Sequence, residues 1–146
     1  MNRLFFLLSP LFFVFQAQAQ TDPDDVLGYW LTNDGQAKVE IYKENKKYSG
    51  KVVWLKRMKN DDGTERTDKN NPKESLQNRP LLGLNLIKNF VFDNGKWKDG
   101  IIYDPESGKT YDCVIKKKGE KLEVRGYVGI SMFGRTVVWT KTTGNP

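Results

Sequence analysis

Apolar positions in this chain recur at every second residue, in short runs set apart by turn-forming residues, with no long helical period. Ala37, Val39 and Ile41 alternate with Lys38, Glu40 and Tyr42, bounded by Asn33-Asp34-Gly35 and Glu44-Asn45-Lys46. That is the pattern of a half-buried strand. The run Tyr48 to Leu55 sets Gly50, Val52 and Trp54 on one face and Lys51, Val53 and Leu55 on the other, with Gly50 marking a bulge or bend. Trp97 to Tyr111 is the most legible stretch. Two aromatic, β-branched segments flank Asp104-Pro105-Glu106-Ser107-Gly108, where Pro fixes φ and Gly takes the left-handed conformation, so a tight hairpin is expected. Asn94-Gly95 before it and Lys118-Gly119-Glu120 after it are further hairpin turns, and Val137 and Trp139 alternate with Thr136, Val138 and Thr140 near the end. About eight short strands joined mostly by tight turns predict an all-β, antiparallel, lipocalin-like barrel, with a β-sandwich as the alternative.

Two stretches break the pattern. Arg3, the apolar run Leu4 to Phe15 and the small-x-small sequence Ala17-Gln18-Ala19 have the form of a signal peptide, so residues 1–19 are expected to be removed on export to the periplasm or medium. The apolar run is too short to span a bilayer as a helix. Residues 20–27 then read as a flexible lead-in to a single barrel domain over 28–146. Lys56 to Asn78 is polar, carries Asn60-Asp61-Asp62-Gly63 and Asn71-Pro72, and is long for a loop in a small domain unless it has a task. Pro72 to Leu76 is suited to one helical turn.

The chain has no His and one Cys, so the ordinary zinc, haem, Cys-His and Ser-His-Asp chemistries lack their parts, and no cofactor or metal is expected. Cys113 alternates with Tyr111 and Ile115, as a buried small hydrophobe does, and cannot form a disulfide within its own fold. Asp61, Asp62 and Asp68 lie in one loop but lack EF-hand spacing. A net charge of +6 with runs such as Lys116-Lys117-Lys118 suits a polyanion or a solvated hairpin tip. Nucleic acid is not expected for an exported chain.

Gly28-x-Trp30 on the first strand with Arg135 on the last resembles the signature of lipocalin-like (calycin) barrels, which implies a cationic side chain packed over the indole at one barrel end. A broader resemblance covers essentially all of the chain after the leader. Gly28-x-Trp30, Gly50-Lys51-Val52-Val53, Asp68 with Asn71-Pro72, Arg79-Pro80-Leu81-Leu82-Gly83, Gly100 to Pro105, Gly108 to Tyr111, Leu122 to Tyr127 and Gly134-Arg135 before Trp139 together resemble the domain of unknown function 2147 family. That resemblance implies an exported bacterial β domain and no particular activity.

The candidate ligand site lies where the Lys56 to Asn78 loop meets the Gly100 to Tyr111 hairpin, with Arg79, Tyr103, Asp104 and Arg125 as its polar groups. Arg forks there suit a carboxylate or phosphate. The bland alternative is an ion-pair network, involving Asp68, that pins the loop. The leading functional expectation is a module that binds a small hydrophobic or anionic ligand. Its rival is an envelope protein-interaction module with a solidly packed barrel. Third is a hydrolase using Asp104 and Glu106, which requires the two carboxylates to converge in a cleft.

Overall fold

The computed structural model describes residues 20–144, so the leader read at 1–19 lies outside the described residues. Eight strands follow one another as β1 (Gly28–Leu31), β2 (Ala37–Glu44), β3 (Lys47–Leu55), β4 (Asn85–Asp93), β5 (Lys96–Asp104), β6 (Lys109–Lys118), β7 (Lys121–Tyr127) and β8 (Arg135–Thr142). Each pairs antiparallel with the next, and β8 returns to β1, so the sheet closes into an up-and-down barrel. Closure leaves no free edge, which sequential hairpins achieve without any crossover. The barrel, rather than the sandwich, is the fold.

In such a barrel alternate connections gather at the same end. The turns at 45–46, 94–95 and 119–120 close one end. The 32–36 turn, the 56–84 connection, the 105–108 turn and the 128–134 loop surround the other.

The first end is filled. Trp30, Phe90, Trp97, Ile115 and Leu122 are all buried there, and Trp97 packs edge-on to Tyr48 and obliquely against Phe92. Room for the rings comes from missing side chains: a Cβ on Gly100 would sit 2.3 Å from Phe90 Cδ2, and one on Gly50 would sit 2.7 Å from Ile87 Cγ1. The segment expected as a flexible lead-in is instead part of this end. Pro23–Val26 forms a 3-10 turn capped by Asp22, whose carboxylate accepts from Asp24 N, and Val26 is buried. The two buried indoles need acceptors, and this turn supplies them: Trp30 Nε1 donates to Val26 O at 2.8 Å and Trp97 Nε1 to Pro23 O at 3.0 Å. Asp24 in turn accepts from Lys43 Nζ and Tyr48 Oη, contacts that lower its pKa, the Lys43 hydrogen bond foremost.

The side chain over the Trp30 ring is Lys141, its Nζ 4.9 Å from the centroid, and not Arg135. Register decides this. Trp30 pairs with Lys141, whereas Arg135 pairs with Gly126, six residues and roughly 20 Å away along the strand. A second correction concerns β3. Between the pairs Lys38↔Trp54 and Val39↔Val52 the register shifts, leaving Val53 as a bulge and reversing the expected faces. Leu55 is therefore buried, and Trp54 lies outside beneath the ammonium of Lys38.

Candidate functional site

The long connection is ordered by short-range pairing and by one buried carboxylate. Lys59 bridges to Glu65, Thr67 bridges to Pro80, and Glu74–Leu76 forms the expected single helical turn. Between these, Asp68 is fully buried and both of its carboxylate oxygens are hydrogen-bonded. Tyr103 Oη donates to its Oδ1 at 2.6 Å; Oδ2 receives Asn71 Nδ2 at 2.8 Å, Arg79 Nε at 2.9 Å and Arg79 Nη2 at 2.7 Å. The Arg79 guanidinium also lies over the Tyr103 ring, 5.6 Å from its centroid. Burial first, then the hydrogen bond to Asp68, raises the Tyr103 pKa. Loop and hairpin are locked a second time nearby. Asn70 Nδ2 donates to Glu106 O at 2.8 Å, and Asn70 O packs so closely on Gly108 (φ +70°) that a Cβ there would lie 2.0 Å from it.

Of the four polar groups expected at this junction, Arg79 and Tyr103 do meet, through Asp68. The other two do not join them. Asp104 is occupied with its own turn, accepting from Glu106 N at 3.0 Å and Ser107 Oγ at 2.6 Å. Arg125 stands on the outer face of β7 and holds the 128–134 loop, donating to Ser131 O, Met132 O and Thr136 Oγ1. With its carboxylate saturated, the Asp68 cluster is an internal brace.

The open space lies beside this brace. A cavity of about 1320 Å³ enters the barrel from the loop end, walled by apolar side chains that include Val52, Leu55, Leu84, Ile102, Val124 and Trp139, with Tyr103 and Tyr111 among its aromatic groups. Its rim carries Arg57, Arg66, Lys69 and Arg135 together with Asp34, Asp61, Asp62, Asp104 and Glu106. Most of the rim acids are engaged. Asp34 accepts from Thr32 Oγ1 and Gln36 N, Asp61 pairs with Arg57, and Asp62 accepts from Thr64.

The cavity is what the sequence left unread. Alternation marks Val124, Val137 and Trp139 as inward-facing, but inward-facing residues that meet across a filled core and those that line a void have the same spacing. Asp68 carried a weak signal, one acid among several in a polar loop, followed by Asn71 and Arg79.

In sequence, residues 28–141 match the family described as an uncharacterized protein conserved in bacteria, DUF2147. Nothing among curated proteins matches the chain. Among solved structures, a protein from the human pathogen Helicobacter pylori, described as belonging to the lipocalin family, superposes with a TM-score of 0.68. It is 23% identical, over 82% of this chain and 84% of that one. This chain belongs to the DUF2147 family, and its fold is a lipocalin-like barrel.

Proposed function

We propose that this member of the DUF2147 family is a binding module that takes a small, largely apolar molecule end-on into its barrel. The observation that carries the reading is the asymmetry of the interior. One end is packed with Trp30, Phe90 and Trp97 and capped by the 23–26 turn, while the other holds a cavity of about 1320 Å³. Concave apolar space with a few polar groups at its edge is where small molecules bind. That volume includes the polar rim, so an apolar body would sit in its inner part, among Val52, Leu84, Ile102, Val124 and Trp139. The leader-like pattern of residues 1–19 favours the periplasm or medium as the compartment of binding.

The test uses hexadecanol, a neutral long-chain alcohol, followed by thermal shift and by fluorescence of the cavity-lining Trp139. Val137 is partly buried, lines the cavity and shares the inward phase of Trp139. Hexadecanol should stabilise the wild type, and Val137→Trp, which intrudes on the space, should weaken the effect while keeping the far-UV spectrum. Absence of binding by hexadecanol and by shorter alcohols alike would end the reading.

A second reading, contact with an envelope partner, is favoured by one observation. Val128, Ile130, Met132 and Phe133 stand exposed on the 128–134 loop, which Arg125 holds in place. Contiguous exposed apolar side chains mark interaction surfaces. A photocrosslinker at Val128 should then yield one discrete adduct in the envelope, lost on Phe133→Ser; no adduct would refute this second reading.

A further inference from the structure

We infer that the ligand carries an anionic oxygen head group, carboxylate or phosphate, seated at the cavity mouth between Arg135 and Tyr111; this rests on the apolar-ligand reading above. Strand phase is the first argument. Arg135 shares the inward face of β8 with Val137 and Trp139, and Tyr111 shares the inward face of β6 with Cys113 and Ile115. Both line the cavity.

The second argument is the gap between them. Gly126 pairs with Arg135 on one side and with Cys113 on the other, and a Cβ at Gly126 would lie 3.5 Å from Tyr111 Cβ and 3.5 Å from Ile102 Cγ2. No side chain fills that position. A head group over that position lies on β7, between the strand that carries Arg135 and the strand that carries Tyr111.

The third argument is electrostatic. Arg57 is committed to Asp61, Arg79 to Asp68 and Arg125 to the loop carbonyls, while Arg66 donates only to Arg57 O. Among the described residues the Arg135 side chain has no carboxylate partner and the Tyr111 hydroxyl no hydrogen-bond partner. An unpaired guanidinium at the edge of an apolar cavity attracts an anion more strongly than the same group in open water, and its donor geometry matches carboxylate and phosphate oxygens.

The experiment compares hexadecanoic acid, hexadecyl phosphate and hexadecanol on the full exported protein at low salt, in wild type, Arg135→Gln, Arg135→Lys and Gly126→Val. At least one acid should bind about tenfold more tightly than the alcohol in the wild type. Arg135→Gln should erase that preference and leave hexadecanol unchanged, Arg135→Lys should restore part of it, and Gly126→Val should weaken the acids selectively. The stronger of the two acids identifies the head group. If acids and alcohol bind equally, or if Arg135→Gln leaves the preference intact, the head-group assignment fails while the apolar cavity stands. If none of the three binds, both readings fail together.

Discussion

Replacing Asp68 by alanine separates a brace from a decorative ion pair. Asp68 is fully buried, and its removal strands three donors at once: the Tyr103 hydroxyl, the Asn71 amide and the Arg79 guanidinium. Truncating one partner of a buried charge pair costs roughly 3–5 kcal/mol, because the remaining groups lose their partner without regaining water. The Arg79 side chain keeps 33% of its exposure and so recovers some hydration, which sets the expectation at the lower half of that range, about 3 kcal/mol. Asp68→Asn should cost less, about 2 kcal/mol, because it keeps an acceptor for Tyr103 but turns an amide toward the donors of Asn71 and Arg79. The internal control is Asp61→Ala. Its pair with Arg57 has side chains 95% and 59% exposed, and exposed pairs contribute about 0–1 kcal/mol. Urea unfolding followed by tryptophan fluorescence gives the stability changes, and limited proteolysis between Lys56 and Arg79 reports whether the connection loosens first. An Asp68→Ala cost no larger than that of Asp61→Ala, with no new cleavage in the connection, would refute the brace and return Asp68 to the list of groups free to do chemistry.

Four further outcomes follow from the packing. Gly100→Ala places its Cβ 2.3 Å from Phe90 Cδ2 and should destabilise by about 1–3 kcal/mol, with partial rescue by Phe90→Leu in the double variant, measured by urea midpoints. Trp30→Ala should cost about 3–5 kcal/mol as a buried aromatic deletion. Lys141→Gln should cost no more than about 2 kcal/mol and Arg135→Gln almost nothing, an order that is reversed if Arg135 covers the indole. Burial pushes the Cys113 thiol up to about 12, so it should resist iodoacetamide at pH 8 in the native state and react once unfolded. Because the folded pKa is the higher one, the stabilisation from the neutral thiol is complete below the unfolded value, near 8.5–9, and declines as pH rises toward 12. A Cys113→Ala variant should lack that component of the alkaline loss.

Much of the barrel was legible because its information is local. Asn94-Gly95, the 104–108 turn and the Lys118-Gly119-Glu120 tip each specify a reversal through their own backbone preferences, and alternation between them specifies which residues face inward. The loop-to-hairpin junction was legible too, since a long polar connection in a small barrel must lie against something. What residue types alone did not decide is how the phases add up around the closed sheet. A bulge at Val53 reverses Trp54 and Leu55, and left-handed residues at Asn89 and Asp99 accompany breaks in the regular alternation of β4 and β5. Each such break resets inside and outside for the residues beyond it, and it leaves only a faint mark in the sequence.

Closure adds a second non-local quantity, the stagger between first and last strands. That stagger puts Lys141 and not Arg135 over Trp30, which moves Arg135 to the opposite end, at the cavity mouth. Sequence alone determined that this chain would form antiparallel strands with one apolar face, because side-chain alternation and turn chemistry act over a few residues. Only the tertiary structure decided that the apolar face encloses open space at one end, and that Asp68, Arg79 and Tyr103 converge beside it. Both depend on register, which is fixed by packing between residues far apart in the chain.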